Sequence, residues 1–116
     1  MSSAARILIV DDDPGTRFGL ARLLEDEGYE VEEAADLSTA VEKLEHQRFQ
    51  VAILDRNLRG EDGLVLLPKL RAQEPPTKAV LFSGGSEPID ATVDARLLKG
   101  SCPAEMLRRI AELVRR

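Results

Sequence analysis

The stretch Val51-Ala52-Ile53-Leu54-Asp55-Arg56-Asn57-Leu58-Arg59-Gly60-Glu61-Asp62-Gly63 decides the fold. Four apolar residues run without a break into a carboxylate, after which the pattern turns polar and closes on glycine. A short apolar run bounded by turn signals reads as a strand buried on both faces, as in a parallel sheet. Asp55 then stands at the carboxyl end of that strand, on the edge where open α/β sheets bind ligands.

The flanking sequence repeats the theme. Arg6-Ile7-Leu8-Ile9-Val10 is apolar and β-branched, reads as a buried strand, and runs into Asp11-Asp12-Asp13. Pro14 suits the first turn of a helix capped by Asp13, with Phe18, Leu20, Ala21, Leu23 and Leu24 as its apolar face and Gly28 as its stop. Tyr29 to Ala34 alternates like a more exposed strand, and Asp36 or Ser38 opens a second helix with Leu37, Ala40, Val41 and Leu44 at helical spacing. The third strand is read as Phe49 to Leu54.

Beyond Gly63 the spacing predicts a helix from Leu64 to about Gln73, kinked by Pro68 unless that residue falls in the first turn. Pro75-Pro76 ends the segment, and Ala79 to Phe82 is a fourth strand leading to Ser83-Gly84-Gly85. Ser86 to Asp94 is short and poorly patterned, Ala95 to Leu98 is a fifth strand ending at Lys99, and Pro103 opens a last helix with Met106, Leu107, Ile110, Leu113 and Val114 inward. Alternating strands and helices give an α/β fold with a parallel sheet and right-handed crossovers. No repeat or linker divides the chain, so residues 1–116 read as a single domain.

Composition removes several function classes. With 116 residues, 43% hydrophobic and 32% charged, the chain has an ordinary soluble make-up. A net charge of -5 disfavours an electrostatic grip on nucleic acid, and three Phe, one Tyr and no Trp give no stacking platform. The apolar runs are too short to span a membrane, the amino terminus lacks a signal-peptide core, and the lone Cys102 forms no internal disulfide. A cytoplasmic location is expected. Cys102 sits at or near a helix start but has no resolving thiol, so no redox role is expected, while His46 on a polar helix end and the pairs Arg108-Arg109 and Arg115-Arg116 read as solvated surface.

Four strands end on chemistry-bearing residues: Asp11 and Asp12 after the first, Asp55 on the third, Ser83 after the fourth and Lys99 after the fifth. Parallel strands put them all on one edge. Crowded carboxylates repel and want a divalent cation, and oxygen ligands with room for water suit Mg²⁺. A lone ammonium suits an incoming phosphoryl group, and a carboxylate can accept one as a nucleophile. Each residue also has a plainer reading, such as helix cap, turn residue or surface lysine, but their recurrence on one edge favours a site.

Leu8-Ile9-Val10-Asp11-Asp12-Asp13-Pro14, Leu54-Asp55 with Gly63 eight residues on, Phe82-Ser83-Gly84 and Leu98-Lys99 resemble the receiver domain of bacterial two-component response regulators. The resemblance spans essentially the whole chain. It implies a flavodoxin-like doubly wound five-stranded parallel sheet in the order 2-1-3-4-5. It also implies phosphotransfer from a sensor histidine kinase or phosphotransfer protein to Asp55, with no other enzyme activity, and a downstream protein that reads the result. Asp12 and Asp55 would bind Mg²⁺ together with the Asn57 backbone carbonyl, Asp11 would assist through water, and Ser83 and Lys99 would hold phosphoryl oxygens.

Departures from the family pattern raise further expectations. Arg59 stands where proline is frequent, which predicts a looser loop after Asp55. Gly100 replaces the usual cis-proline. A non-proline cis bond costs about 3 kcal/mol, so Lys99–Gly100 is expected to be trans with a shifted lysine approach. Arg96 occupies the place of a switch aromatic, and only fifteen residues separate Ser83 from Lys99, so the fourth helix is expected to be short or missing, dimerisation through its face disfavoured and the readout atypical. Two other readings compete. One is a receiver-shaped interaction module that works without phosphorylation. The other is a haloacid-dehalogenase-like phosphatase using Asp11-x-Asp13, although Thr16 is one residue late for that motif. No output motif follows the last helix, so the chain either docks a partner alone or belongs to a longer protein.

Overall fold

The computed structural model describes residues 4–84 and 93–115. Each apolar run becomes a strand and each capped amphipathic stretch a helix. β1 (Arg6–Val10) is buried from Ile7 onward. α1 (Pro14–Asp26) starts where the Asp13 carboxylate accepts the Thr16 N–H at 2.9 Å. Gly28, at φ +94, takes the left-handed conformation that turns the chain away after the helix. β2 (Glu30–Ala34) follows, and then α2 (Leu37–His46), whose cap is Asp36, accepting the Thr39 N–H at 2.8 Å. β3 (Val51–Leu54) is fully buried.

Two very short strands, β4 (Asn57–Leu58) and β5 (Glu61–Asp62), form an antiparallel ladder of their own. A 3₁₀ turn (Gly63–Leu66) leads into α3 (Leu67–Arg71). β6 (Lys78–Ser83), β7 (Ala95–Leu98) and α4 (Pro103–Arg115) complete the described elements.

The main sheet has the order β2-β1-β3-β6-β7, with every pairing parallel. Leaving aside the small ladder, this is the expected 2-1-3-4-5 arrangement. Side chains alternate across it. Ile7, Ile9, Ile53, Val80 and Phe82 pack toward Leu20, Leu24 and Ile110 on one face. Leu8, Val10, Leu54 and Leu81 pack toward Leu44, Phe49, Leu66 and Leu70 on the other. Each fully buried Leu or Ile contributes about 1.5–3 kcal/mol, so the two faces together supply most of the drive to fold.

The third helix differs from the sequence expectation. Pro68 lacks the N–H that would bond the Leu64 carbonyl, and the Leu67 N–H takes that carbonyl instead. The chain therefore enters through a 3₁₀ turn, Pro68 falls in the first turn of α3, and the helix stops at Arg71 rather than near Gln73. The β2 and β3 strands begin one and two residues later than expected, and β6 extends one residue further at each end. Lys99–Gly100 is trans, as expected, and the only cis peptide among the described residues is Glu74–Pro75. The expected short or missing fourth helix concerns Ser86 to Asp94, of which all but Val93 and Asp94 lie outside the described residues.

Candidate functional site

The sheet ladder runs one residue past the strands. The Asp11 N–H bonds the Ala34 carbonyl at 3.1 Å, the Asp55 N–H bonds the Val10 carbonyl at 2.9 Å, and the Lys99 N–H bonds the Ser83 carbonyl at 2.8 Å. The backbones of three candidate residues are thus fixed by neighbouring strands on one edge. Asp11, Asp12 and Asp55 each present an oxygen within 4.8 Å of the others'. Lys99 Nζ lies 3.3 Å from Asp55 Oδ2 and 3.4 Å from Asp11 Oδ2, so with a trans peptide the ammonium still meets both carboxylates.

Asp11 is buried. Its Oδ1 accepts the Asp13 N–H at 2.9 Å. Its Oδ2 has no aligned hydrogen bond among the described residues and is met only by the charge of Lys99. Arg17 holds the same residue from behind: Nη1 donates to the Asp11 carbonyl at 2.8 Å and Nε donates to Glu33 at 3.1 Å, tying α1 to the ends of β1 and β2. Asp55 is 9% exposed, and its Oδ1 accepts the Asn57 N–H at 3.2 Å. Ser83 is buried, and its hydroxyl is without a partner among the described residues. A cleft of ≈ 560 Å³ joins Asp12, Asp55, Arg56, Asn57, Ser83 and Lys99.

These groups shift one another's protonation. Burial raises the pKa of Asp55 above 3.8, and the charge of Asp11 adds to the rise. The Asn57 N–H and the Lys99 ammonium oppose it without cancelling it. Burial works to lower the pKa of Lys99, but the carboxylates of Asp11 and Asp55 outweigh it and hold the ammonium above 10.5. The edge is therefore an anionic pocket with one cation shared between two carboxylates.

The loop after Asp55 is not looser. Arg59 and Gly60 have φ values of 52 and 89, the two left-handed residues of a type I′ hairpin turn that closes the β4–β5 ladder. Proline could not adopt such a φ, and it has no N–H. The Arg59 N–H donates to Asp12 Oδ2 at 3.2 Å, lashing the hairpin to the acidic pocket.

Asp13 is exposed and spends its carboxylate on the Thr16 N–H and hydroxyl, so the second carboxylate of the phosphatase-like motif is committed to capping α1. His46 bonds the Glu42 carbonyl of its own helix, and Cys102 is exposed. Arg96 lies half-buried on β7 opposite Leu81. Arg17 and Arg56 escaped the sequence reading. Arg17 carried a usable signal, a cation one turn into the helix that follows an acidic strand end. Arg56 carried none.

The family model of the response regulator receiver domain matches residues 7–101. The transcriptional regulatory protein AruR of Pseudomonas aeruginosa is 33% identical over 127 residues, which cover 100% of this chain and 52% of AruR. The chain thus spans about half the length of that relative. A CheY-like receiver domain protein from Methanospirillum hungatei superimposes with a TM-score of 0.87 at 34% identity, covering 97% of this chain and 94% of that one. TrrA from Thermotoga maritima, solved in complex with Mg²⁺ and beryllium fluoride, gives a TM-score of 0.84 at 28% identity, with 94% and 98% covered. The acidic strand ends, the sheet order and these likenesses converge: the chain belongs to the response regulator receiver domain family of two-component signalling.

Proposed function

We propose that this receiver is switched by phosphorylation of Asp55. The observation that carries the reading is the meeting of three carboxylates, with oxygens within 4.8 Å of each other, and the Lys99 ammonium at a single sheet edge. Asp55 Oδ would attack the phosphorus of a phosphohistidine. The O–P bond forms as the N–P bond breaks, and the imidazole nitrogen leaves with the electron pair and takes up a proton. Lys99 then holds one phosphoryl oxygen, and the Ser83 hydroxyl, without a partner among the described residues, donates to another.

The residues suit Mg²⁺. The buried Oδ2 of Asp11, met among the described residues only by the Lys99 charge, and the clustered carboxylates form a hard, oxygen-rich donor set. Asp12 and Asp55 would hold the ion with the Asn57 carbonyl, and Asp11 would assist through water. When bound, the ion offsets the negative charge gathered on the phosphoryl oxygens. TrrA, a structural relative, was solved with Mg²⁺ and beryllium fluoride, which supports Mg²⁺ as the ion for this acidic edge.

Residues 1–116 act as one such receiver, in the cytoplasm, between a histidine kinase or phosphotransfer protein and a downstream protein. Among the described residues no helix is long and apolar enough to cross a membrane.

Acetyl phosphate or beryllium fluoride with Mg²⁺ tests the reading. We expect one phosphoryl group by mass, its loss in Asp55→Asn, and chemical-shift changes around the cleft. Failure of both reagents in the metal-loaded protein sinks the phosphoacceptor reading.

A further inference from the structure

Arg56 follows Asp55 directly and lines the same cleft, yet none of the chemistry above uses it. Among the described residues its guanidinium meets only Asp62, Nε to Oδ2, at 3.7 Å. The two side chains are 35% and 45% exposed. An ion pair this long and this open is weak. Asp62 does not depend on it, because its Oδ1 is already fixed as the cap of the 3₁₀ turn, accepting the Leu64 N–H at 3.0 Å. Arg56 is therefore a cation loosely parked one residue from the phosphoacceptor.

The pocket needs such a cation. Its ammonium is shared between Asp11 and Asp55. A phosphoryl group adds about two negative charges and three acceptor oxygens, and the guanidinium fork matches those oxygens in pairs.

We propose that Arg56 is a second cation for the phosphoryl group on Asp55, kept in reserve by Asp62 while Asp55 is unmodified. The inference rests on the phosphoacceptor reading of Asp55. On modification the guanidinium exchanges the Asp62 carboxylate for phosphoryl oxygens, and no covalent bond changes. Because the Arg56–Asp62 pair spans the base of the β4–β5 hairpin, the exchange also loosens that hairpin when Asp55 is modified.

The test is a titration of the Mg²⁺-loaded protein with beryllium fluoride, followed by ¹⁹F and amide chemical shifts. Arg56→Met is expected to weaken binding about tenfold, the value of one charge-assisted contact. Asp62→Asn keeps a good cap but frees the guanidinium, and is expected to tighten binding by about threefold. The double variant should match Arg56→Met. Mg²⁺ affinity measured alone should not fall in Arg56→Met. Wild-type affinity in Arg56→Met overturns the proposal, and so does weakening by Asp62→Asn, the mark of a merely structural pair. If wild-type protein binds no beryllium fluoride, the Asp55 reading itself fails and the inference falls with it. Binding by wild type with unchanged variants removes the inference alone.

Discussion

The backbone carbonyl of Asp55 occupies the space that a side chain on Gly63 would enter, and the Gly63 N–H donates to the next carbonyl, that of Arg56, at 3.2 Å. The φ of Gly63 is not left-handed, so the demand is for room alone. The glycine lets the returning chain press directly on the strand end that presents the carboxylate.

Gly63→Ala should therefore act on Asp55. The obstructing atoms are backbone and cannot swing aside. We expect a loss of about 1–3 kcal/mol in urea unfolding together with slower labelling by acetyl phosphate. An unchanged midpoint would show that the approach is not tight in solution.

Asp55→Asn should stabilise the unmodified domain while abolishing labelling. Burial, with the charge of Asp11, places the folded pKa of Asp55 above its unfolded value of 3.8. Between those two values the folded state holds the proton more tightly. Stability accordingly falls as pH rises through the window, and the ionised carboxylate carries a cost above it. Thermal melts should show the variant above wild type at neutral pH, with the gap closing at acidic pH.

Lys99→Met should have the opposite sign. The ammonium's folded pKa is raised above 10.5 because its two carboxylate partners outweigh burial. Its contribution is fully present below the unfolded value and is lost as pH climbs through the folded one. The variant should melt below wild type at neutral pH, and the difference should narrow in strong alkali. Mg²⁺ should restore more stability to the variant than to wild type, since the carboxylates then have no other cation between them. At 100 times its dissociation constant a bound ion adds about 2.7 kcal/mol.

Arg59→Pro, which restores a residue frequent in the family, should damage this chain. It forbids the left-handed φ of 52 and deletes the N–H bonded to Asp12. We expect a loss of about 1–3 kcal/mol and collapse of the β4–β5 amide shifts, whereas Arg59→Gly is tolerated. Retention of those shifts in the proline variant would count against the hairpin.

Much of this was legible beforehand because the signals were local. Uninterrupted apolar runs marked β1, β3 and β6, and Asp13 and Asp36 marked helix starts. A carboxylate, hydroxyl or lysine at a strand end marked the site as soon as the strands were taken as parallel. What stayed hidden depends on partners distant in the chain or on a missing donor. Pro68 moved the start of α3 because of an unfilled bond to Leu64, four residues earlier. The hairpin was hidden because arginine is a poor advertisement for a left-handed turn, and its bond to Asp12 spans 47 residues. Arg56 looked like an ordinary polar residue after a strand until its cleft and its weak partner were visible.

The three N–H groups of Asp11, Asp55 and Lys99, each secured to the adjoining strand, make the site tolerant of substitution elsewhere. They hold the acidic rim by main-chain bonds that survive almost any change of side chain. Side chains on the outer faces of the helices can then be changed without retuning the spacing of the carboxylates. The rim is thus set by the course of the main chain, and substitutions far from it leave the site's dimensions as they are.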